Sequence, residues 1–286
     1  RGQERMRQIG DGGNSRIVRP AIVRCLEPGC GKEFEERVPS FMGFRYAIIC
    51  PECRNRKAAE FFTHERTLRE QSRAYRRQEW INQQVPFKYS ENSFADFDAS
   101  DGDNLNKVGK LQDYAVNFPV DERPLGYPSV LITRNINGVG KTHLACALLK
   151  AIIQRHADPT DQMCPYQFWP APNIKIKLQG AQRYGSAETP EQVYTQFTRV
   201  RLLVIDDVGK EKLTEYDAGF LQEMYFGIIN GRYNNGLPVV LTANLGFKPW
   251  PGSDIDLRDL MGSATVSRLM EMTGGIQYVI DGKDRR

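Results

Sequence analysis

The chain has 286 residues, 40% of them hydrophobic and 26% charged, with a formal net charge of +4. The length suffices for one large domain or for two, and the composition is that of an ordinary globular protein. No apolar run approaches the ~18 residues that a membrane helix requires, and no secretory apolar core is visible. The first residue is Arg1 rather than methionine, so a targeting segment upstream is left open.

The charge is unevenly spread. Residues 1–84 hold 17 Lys/Arg against 11 Asp/Glu, whereas residues 85–286 hold 22 against 24. A basic N-terminal part beside a near-neutral remainder suggests contact with nucleic acid or an acidic partner surface. Solvated charge along a helix is the alternative.

Four of the six cysteines lie near the N-terminus. Cys25 and Cys30 are separated by four residues, Cys50 and Cys53 by two, and nineteen residues lie between the pairs. Two close pairs flanking an insert of β-ribbon size are the pattern of a structural zinc site. Pro28, Gly29 and Gly31 supply turn residues around the first pair and Pro51 within the second. A module this small has little core, so metal binding would supply much of its folding free energy. Disulfides compete with this reading and are disfavoured in a reducing, cytoplasmic compartment, where intracellular nucleotide hydrolysis takes place. Cys146 and Cys164 are expected to be unligated.

From Arg54 to Gln84 the sequence is polar and helical in character, with Phe61, Phe62, Tyr75 and Trp80 among many arginines. Such a helix can grip phosphates and stack on bases. Its aromatics can equally pack onto the cysteine module or onto a partner. His64 reads as a surface residue. Pro86 ends the helix, and a linker is expected over Val85–Ser93. Phe94 and Phe97 then resume apolar anchoring, and a helix is expected over Lys107–Asn117.

A short apolar run, Val130–Ile132, leads into N-I-N-G-V-G-K-T-H and then an apolar helical pattern. A phosphate-binding loop needs this strand–loop–helix order. Its glycines turn backbone N–H groups onto phosphate oxygens, its lysine reaches the terminal phosphates, and its threonine hydroxyl meets magnesium. Asn135 stands where the full signature has its first glycine, and asparagine tolerates left-handed backbone better than most residues. Taken alone, the stretch also fits a glycine-rich turn before an ordinary helix. A second apolar run, Leu202–Ile205, reads as a strand buried on both faces and ends in Asp206 and Asp207. One acid at such a strand end holds magnesium, and its neighbour polarises the attacking water. A third strand over Pro238–Ala243 ends in Asn244, a polar side chain suited to orienting that water. The pairing of loop and acidic strand end favours a nucleotide hydrolase over a turn and an acidic loop.

The stretches G-V-G-K-T-H-L-A, L-L-V-I-D-D-V-G-K-E, I-I-N-G-R-Y-N-N-G-L-P-V-V-L-T-A-N-L and V-S-R-L-M-E together resemble the DnaC/DnaI/IstB family of AAA+ ATPases. The resemblance runs from about Phe94 to the C-terminus. It implies an α/β P-loop fold with a central parallel sheet, preceded by a zinc-ribbon-like module. The implied divisions are 1–84 for the module with its basic helix, 85–125 for the linker and first ATPase helix, and 126–286 for the ATPase domain. The family pattern places the nucleotide contacts on Asn135, Gly138, Val139, Gly140, Lys141, Thr142 and His143. It makes Asp206 the magnesium-side acid, Asp207 the water-activating acid and Asn244 the first sensor. Arg268 falls on the arginine finger that reaches a neighbouring subunit's nucleotide, and Arg285 or Arg286 on the second sensor. Without the resemblance, Arg268 would read as a surface helix arginine. Ala264 stands where many members carry an additional arginine.

A cysteine-rich module ahead of such an ATPase looks like the DnaI-type loaders. The resemblance therefore implies ATP, Mg²⁺ and Zn²⁺ as ligands. It implies a hexameric replicative helicase, single-stranded DNA and further copies of the chain as partners, and no membrane. Two alternatives stand beside it: an IstB-like helper that wraps duplex DNA and activates a transposase, and a nucleotide-gated adaptor that has lost turnover through Asn135.

Overall fold

The computed structural model describes residues 18–39, 49–157, 163–210 and 217–284. Two compact units part between Gln71 and Ser72.

In the first unit, β1 (Val18–Arg24) and β2 (Glu33–Pro39) pair antiparallel, from Val18 opposite Pro39 to Arg24 opposite Glu33. The connection carries Gly29 (φ 79°) and Gly31 (φ 58°) on either side of Cys30, backbone that a residue with a Cβ adopts only at a cost. The helix α1 (Pro51–Gln84) begins between Cys50 and Cys53 and ends two residues before Pro86. In its first part Phe61, Phe62, Leu68 and His64 are exposed.

The second unit is built on a five-stranded parallel sheet. Its strands are β3 (Val130–Thr133), β4 (Tyr166–Pro170), β5 (Leu202–Val208), β6 (Val239–Ala243) and β7 (Tyr278–Val279), in the spatial order β4-β5-β6-β3-β7. The apolar runs of β3, β5 and β6 are buried on both faces, and alternate residues serve opposite layers. Val130, Ile132, Leu202, Val204 and Val240 pack with α2 (Asn104–Asn117), α3 (Lys141–Arg155) and the end of α1. Leu131, Leu203, Ile205, Val239, Leu241 and Ala243 pack against α4 (Ala171–Ala181), α5 (Pro190–Arg199), α6 (Asp217–Asn234), α7 (Leu257–Met261) and α8 (Ser263–Met272).

Trp80, Ile81 and Val85 are buried in the first of these layers. The end of α1 thus belongs to the core of the second unit, and of the two readings offered for the helix aromatics, Trp80 takes the packing one. Among the described residues no helix is long and apolar enough to cross a membrane.

Candidate nucleotide site and metal centre

The loop after β3 wraps into the start of α3. Gly138 (φ 72°) and Gly140 (φ 96°) take left-handed backbone, and Gly140 caps the helix whose first residues are Lys141, Thr142 and His143. The N-terminal amides of α3 and its dipole make this end an anion site. Gly140 is required twice, because a Cβ there would meet the Phe97 ring at 2.4 Å. Lys141 is buried, and its ammonium donates to the carbonyls of Arg134 (3.1 Å) and Ile136 (2.9 Å). Asn135 is exposed, and the only described residue other than glycine with positive φ is Asp207. The left-handed conformation invoked for Asn135 is therefore not used, and its fit in the loop rests on ordinary backbone.

The acids stand at an irregularity. In the β5–β6 ladder Ile205 pairs with Leu241 and Val208 with Ala243, so β5 carries one extra residue at the acids. Such a bulge re-aims side chains that regular pleating would send to opposite faces. Asp207, at φ 60°, holds strained backbone of the kind that clusters at functional sites. Asp206 accepts from the Thr142 hydroxyl (3.1 Å) and the Thr242 hydroxyl (2.5 Å), and the Thr242 oxygen accepts the Asp207 N–H (2.9 Å). Burial raises the Asp206 carboxyl to about 6, opposed by these two hydroxyls and reinforced by the neighbouring Asp207 charge. The Asp207 carboxylate pairs with Lys210 at 2.7 Å.

Asn244 ends β6. Its amide nitrogen donates to Asn137 of the loop (3.2 Å), and its side-chain oxygen is buried with no hydrogen-bond partner. A buried acceptor left open is costly, and it is the fit expected for a bound water or ligand. The Thr142 hydroxyl and Asp206 carboxylate form an all-oxygen pair suited to Mg²⁺.

A cleft of about 330 Å³ opens over the loop. It is lined by Asn137 to His143, by Asp207, and by Lys88, Tyr89, Asp96, Phe97 and Asp98. The sequence reading missed this last group, because no local pattern says that a segment forty residues upstream folds over the loop. Thr242 was legible only as a hydroxyl in an otherwise apolar strand, and Lys210 not at all.

Arg268 lies on α8 and does not line the cleft. Its guanidinium rests over Phe226 (5.2 Å) and Tyr233 (6.0 Å) and donates to the Ala264 carbonyl (3.1 Å). Arg285 and Arg286 lie outside the described residues.

In the first unit the Sγ atoms of Cys25, Cys30, Cys50 and Cys53 all lie within 4.8 Å of one another. Cys30 and Cys50 are 3.8 Å apart, matching the ~3.8 Å edge of a tetrahedron with Zn–S bonds of ~2.3 Å. No two of the four are joined as a disulfide. The Cys50 backbone N–H donates to Cys25 and lowers its thiol to about 7, whereas hydrogen bonding with Cys30 raises Cys53 to about 12. Polarising one sulfur while its neighbours share protons suits a set that binds a cation as thiolates. Cys146 and Cys164 are buried away from this group.

A glycine loop capping a helix, an acid pair on a buried strand separated from the loop's own strand by β6, and the order β4-β5-β6-β3-β7 define a P-loop ATPase of the AAA+ class. The chain belongs to the family described as IstB-like ATP binding protein, which matches residues 59–279. In fold it is similar to the DnaC helicase loader, with a TM-score of 0.53 and 24% identity over 68% of this chain and 100% of that one. It is also similar to DnaI, with a TM-score of 0.53 and 17% identity over 74% of this chain and 100% of that one. No curated protein matches the chain.

Proposed function

We propose that the chain is an ATP-dependent loader that engages a hexameric replicative helicase through its N-terminal module and places the ring on single-stranded DNA. The observation that carries this reading is a four-cysteine centre preceding an AAA+ core, the arrangement expected of DnaI-type loaders. The fold likeness to DnaC and DnaI supports it.

Within the site, Lys141 would exchange the Arg134 and Ile136 carbonyls for phosphate oxygens, a charge-assisted contact stronger than the neutral ones it leaves. Thr142 and Asp206 would hold Mg²⁺, which supplies charge neutralisation on the phosphates. Asp207 accepts the proton of the attacking water, and Asn244, through its open side-chain oxygen, fixes that water in place. Arg268 acts in a neighbouring copy, so hydrolysis follows assembly. Arg286, or Arg285 beside it, is the second sensor. Cys25, Cys30, Cys50 and Cys53 hold Zn²⁺.

The test is co-elution with the host's replicative helicase on a sizing column in the presence of ATP. A joint peak that disappears on removal of the first unit, residues 1–71, supports the loader and its docking module. A second reading, an IstB-like transposition helper, is favoured by the family match. Failure to co-elute under every nucleotide condition, together with assembly on duplex DNA, would establish that reading instead.

A further inference from the structure

The P-loop accounts for the phosphate end of the cleft, and the base-side wall is left to Lys88, Tyr89, Asp96, Phe97 and Asp98. That wall is a chain segment rather than a sheet or long helix. It consists of two short 3₁₀ turns, Phe87–Tyr89 and Phe94–Asp96, the second closed by Ser93 and Asp96 in a reciprocal cap. So short a segment does not hold its own position. Something must fasten it.

The fasteners come from one face of α3. His143 Nε2 lies 2.7 Å from the Ser93 carbonyl, which can only accept, so Nε2 carries the proton. Nδ1 is then the acceptor, and the Asn92 amide lies 3.2 Å from it. Both ring nitrogens are thus used, and the ring is held in one orientation. Two turns further along α3, the buried Lys150 donates its ammonium to the carbonyls of Ser90 and of Asn92 (2.9 Å). The Phe97 ring meets His143 edge-on at 5.7 Å and lies against Gly140.

We propose that His143 and Lys150 are positioning residues that clasp the segment Ser90–Phe97 to the phosphate-loop helix, and so set the base-side wall of the ATP cleft. The inference rests on the ATP-binding reading of this cleft. His143 stands next to the phosphate-binding residues yet acts on the opposite end of the nucleotide. Its removal therefore separates two affinities that a general loss of fold would lower together.

The experiment compares binding of Mg-ATP and of Mg-tripolyphosphate, which has no base or sugar, to the full chain by calorimetry. His143→Ala is expected to weaken ATP about tenfold, the scale of one or two lost hydrogen bonds, and to leave tripolyphosphate within about twofold. KM for ATP rises by the same factor as the dissociation constant. His143→Gln, whose amide can donate to the Ser93 carbonyl, restores most of the loss. Lys150→Met is expected to show the same selectivity. If it fails to fold, the two His143 variants decide. Equal weakening of both ligands by His143→Ala, or no weakening of either, overturns the clasp. Failure of the unsubstituted chain to bind either ligand would instead remove the nucleotide reading on which it rests.

Discussion

The two candidate sites of this chain are held in opposite ways. The nucleotide site sits at the ends of strands whose apolar residues form two buried layers, so packing holds its geometry. The cysteine site has three of its own cysteines, Cys25, Cys50 and Cys53, as the buried residues of its cluster, with Phe34 and Ile49 packed beside them. The first site rests on a large apolar core, whereas the second has little core beyond its own cysteines. Ligand removal should therefore leave one unit standing and collapse the other.

The largest expected effect follows from breaking the cysteine centre. A strong chelator, or Cys50→Ser with Cys53→Ser, should release one zinc per chain and open the first unit to protease, since apparent zinc binding contributes about 10–16 kcal/mol in such modules. ATP affinity should stay within about twofold. A zinc-free chain that keeps its protease resistance would break the comparison.

Next in size is the nucleotide site, where function should be lost without loss of fold. Lys141→Ala should weaken ATP binding by at least about a hundredfold, measured by calorimetry. Asp207→Asn should bind ATP normally and hydrolyse it about 10²–10⁴ times more slowly in a phosphate-release assay. Neither change should open the second unit to protease.

A subtler effect concerns Asp206, whose carboxyl is raised from 3.8 to about 6 by burial. The folded state holds this proton more tightly than the unfolded state, so the nucleotide-free protein loses stability as pH rises from about 4 to 6. Asp206→Asn removes that cost. It should abolish hydrolysis yet stabilise the nucleotide-free chain by about 1–3 kcal/mol above pH 6, with no gain below pH 4, in denaturant titrations. The smallest effect belongs to Arg268, half-buried on α8 over Phe226 and Tyr233. Arg268→Ala should cost about 0.5–1 kcal/mol of stability. Its loss of ATPase rate should appear only at concentrations where the chain self-associates.

The sequence carried what local pattern can carry. Val130–Ile132, Leu202–Ile205 and Val239–Ala243 are strands because continuous apolar runs bury on both faces, and the glycine loop is its own signal. The four cysteines announced a common centre by spacing alone. Pattern stops where tertiary geometry begins. The bulge that re-aims Asp206 and Asp207 leaves no mark in L-L-V-I-D-D-V, and the ion pair from Lys210 depends on that bulge. The wall at Tyr89 and Phe97 is held by core packing of Phe97 and by bonds from His143 and Lys150 that no local pattern announces. Asn135 was credited with a left-handed backbone that the loop assigns to Gly138 and Gly140 instead. A linker expected after residue 84 begins in a part of the chain where Val85 is already buried in the ATPase core.

The most direct test of the loader reading is transfer of the replicative helicase onto circular single-stranded DNA, scored by unwinding of an annealed primer. The account predicts ATP-dependent unwinding with the intact chain. The activity should be lost with Lys141→Ala and lost on stripping zinc from Cys25, Cys30, Cys50 and Cys53. Unwinding that is indifferent to this chain, beside ATP-dependent assembly on duplex DNA alone, would contradict it.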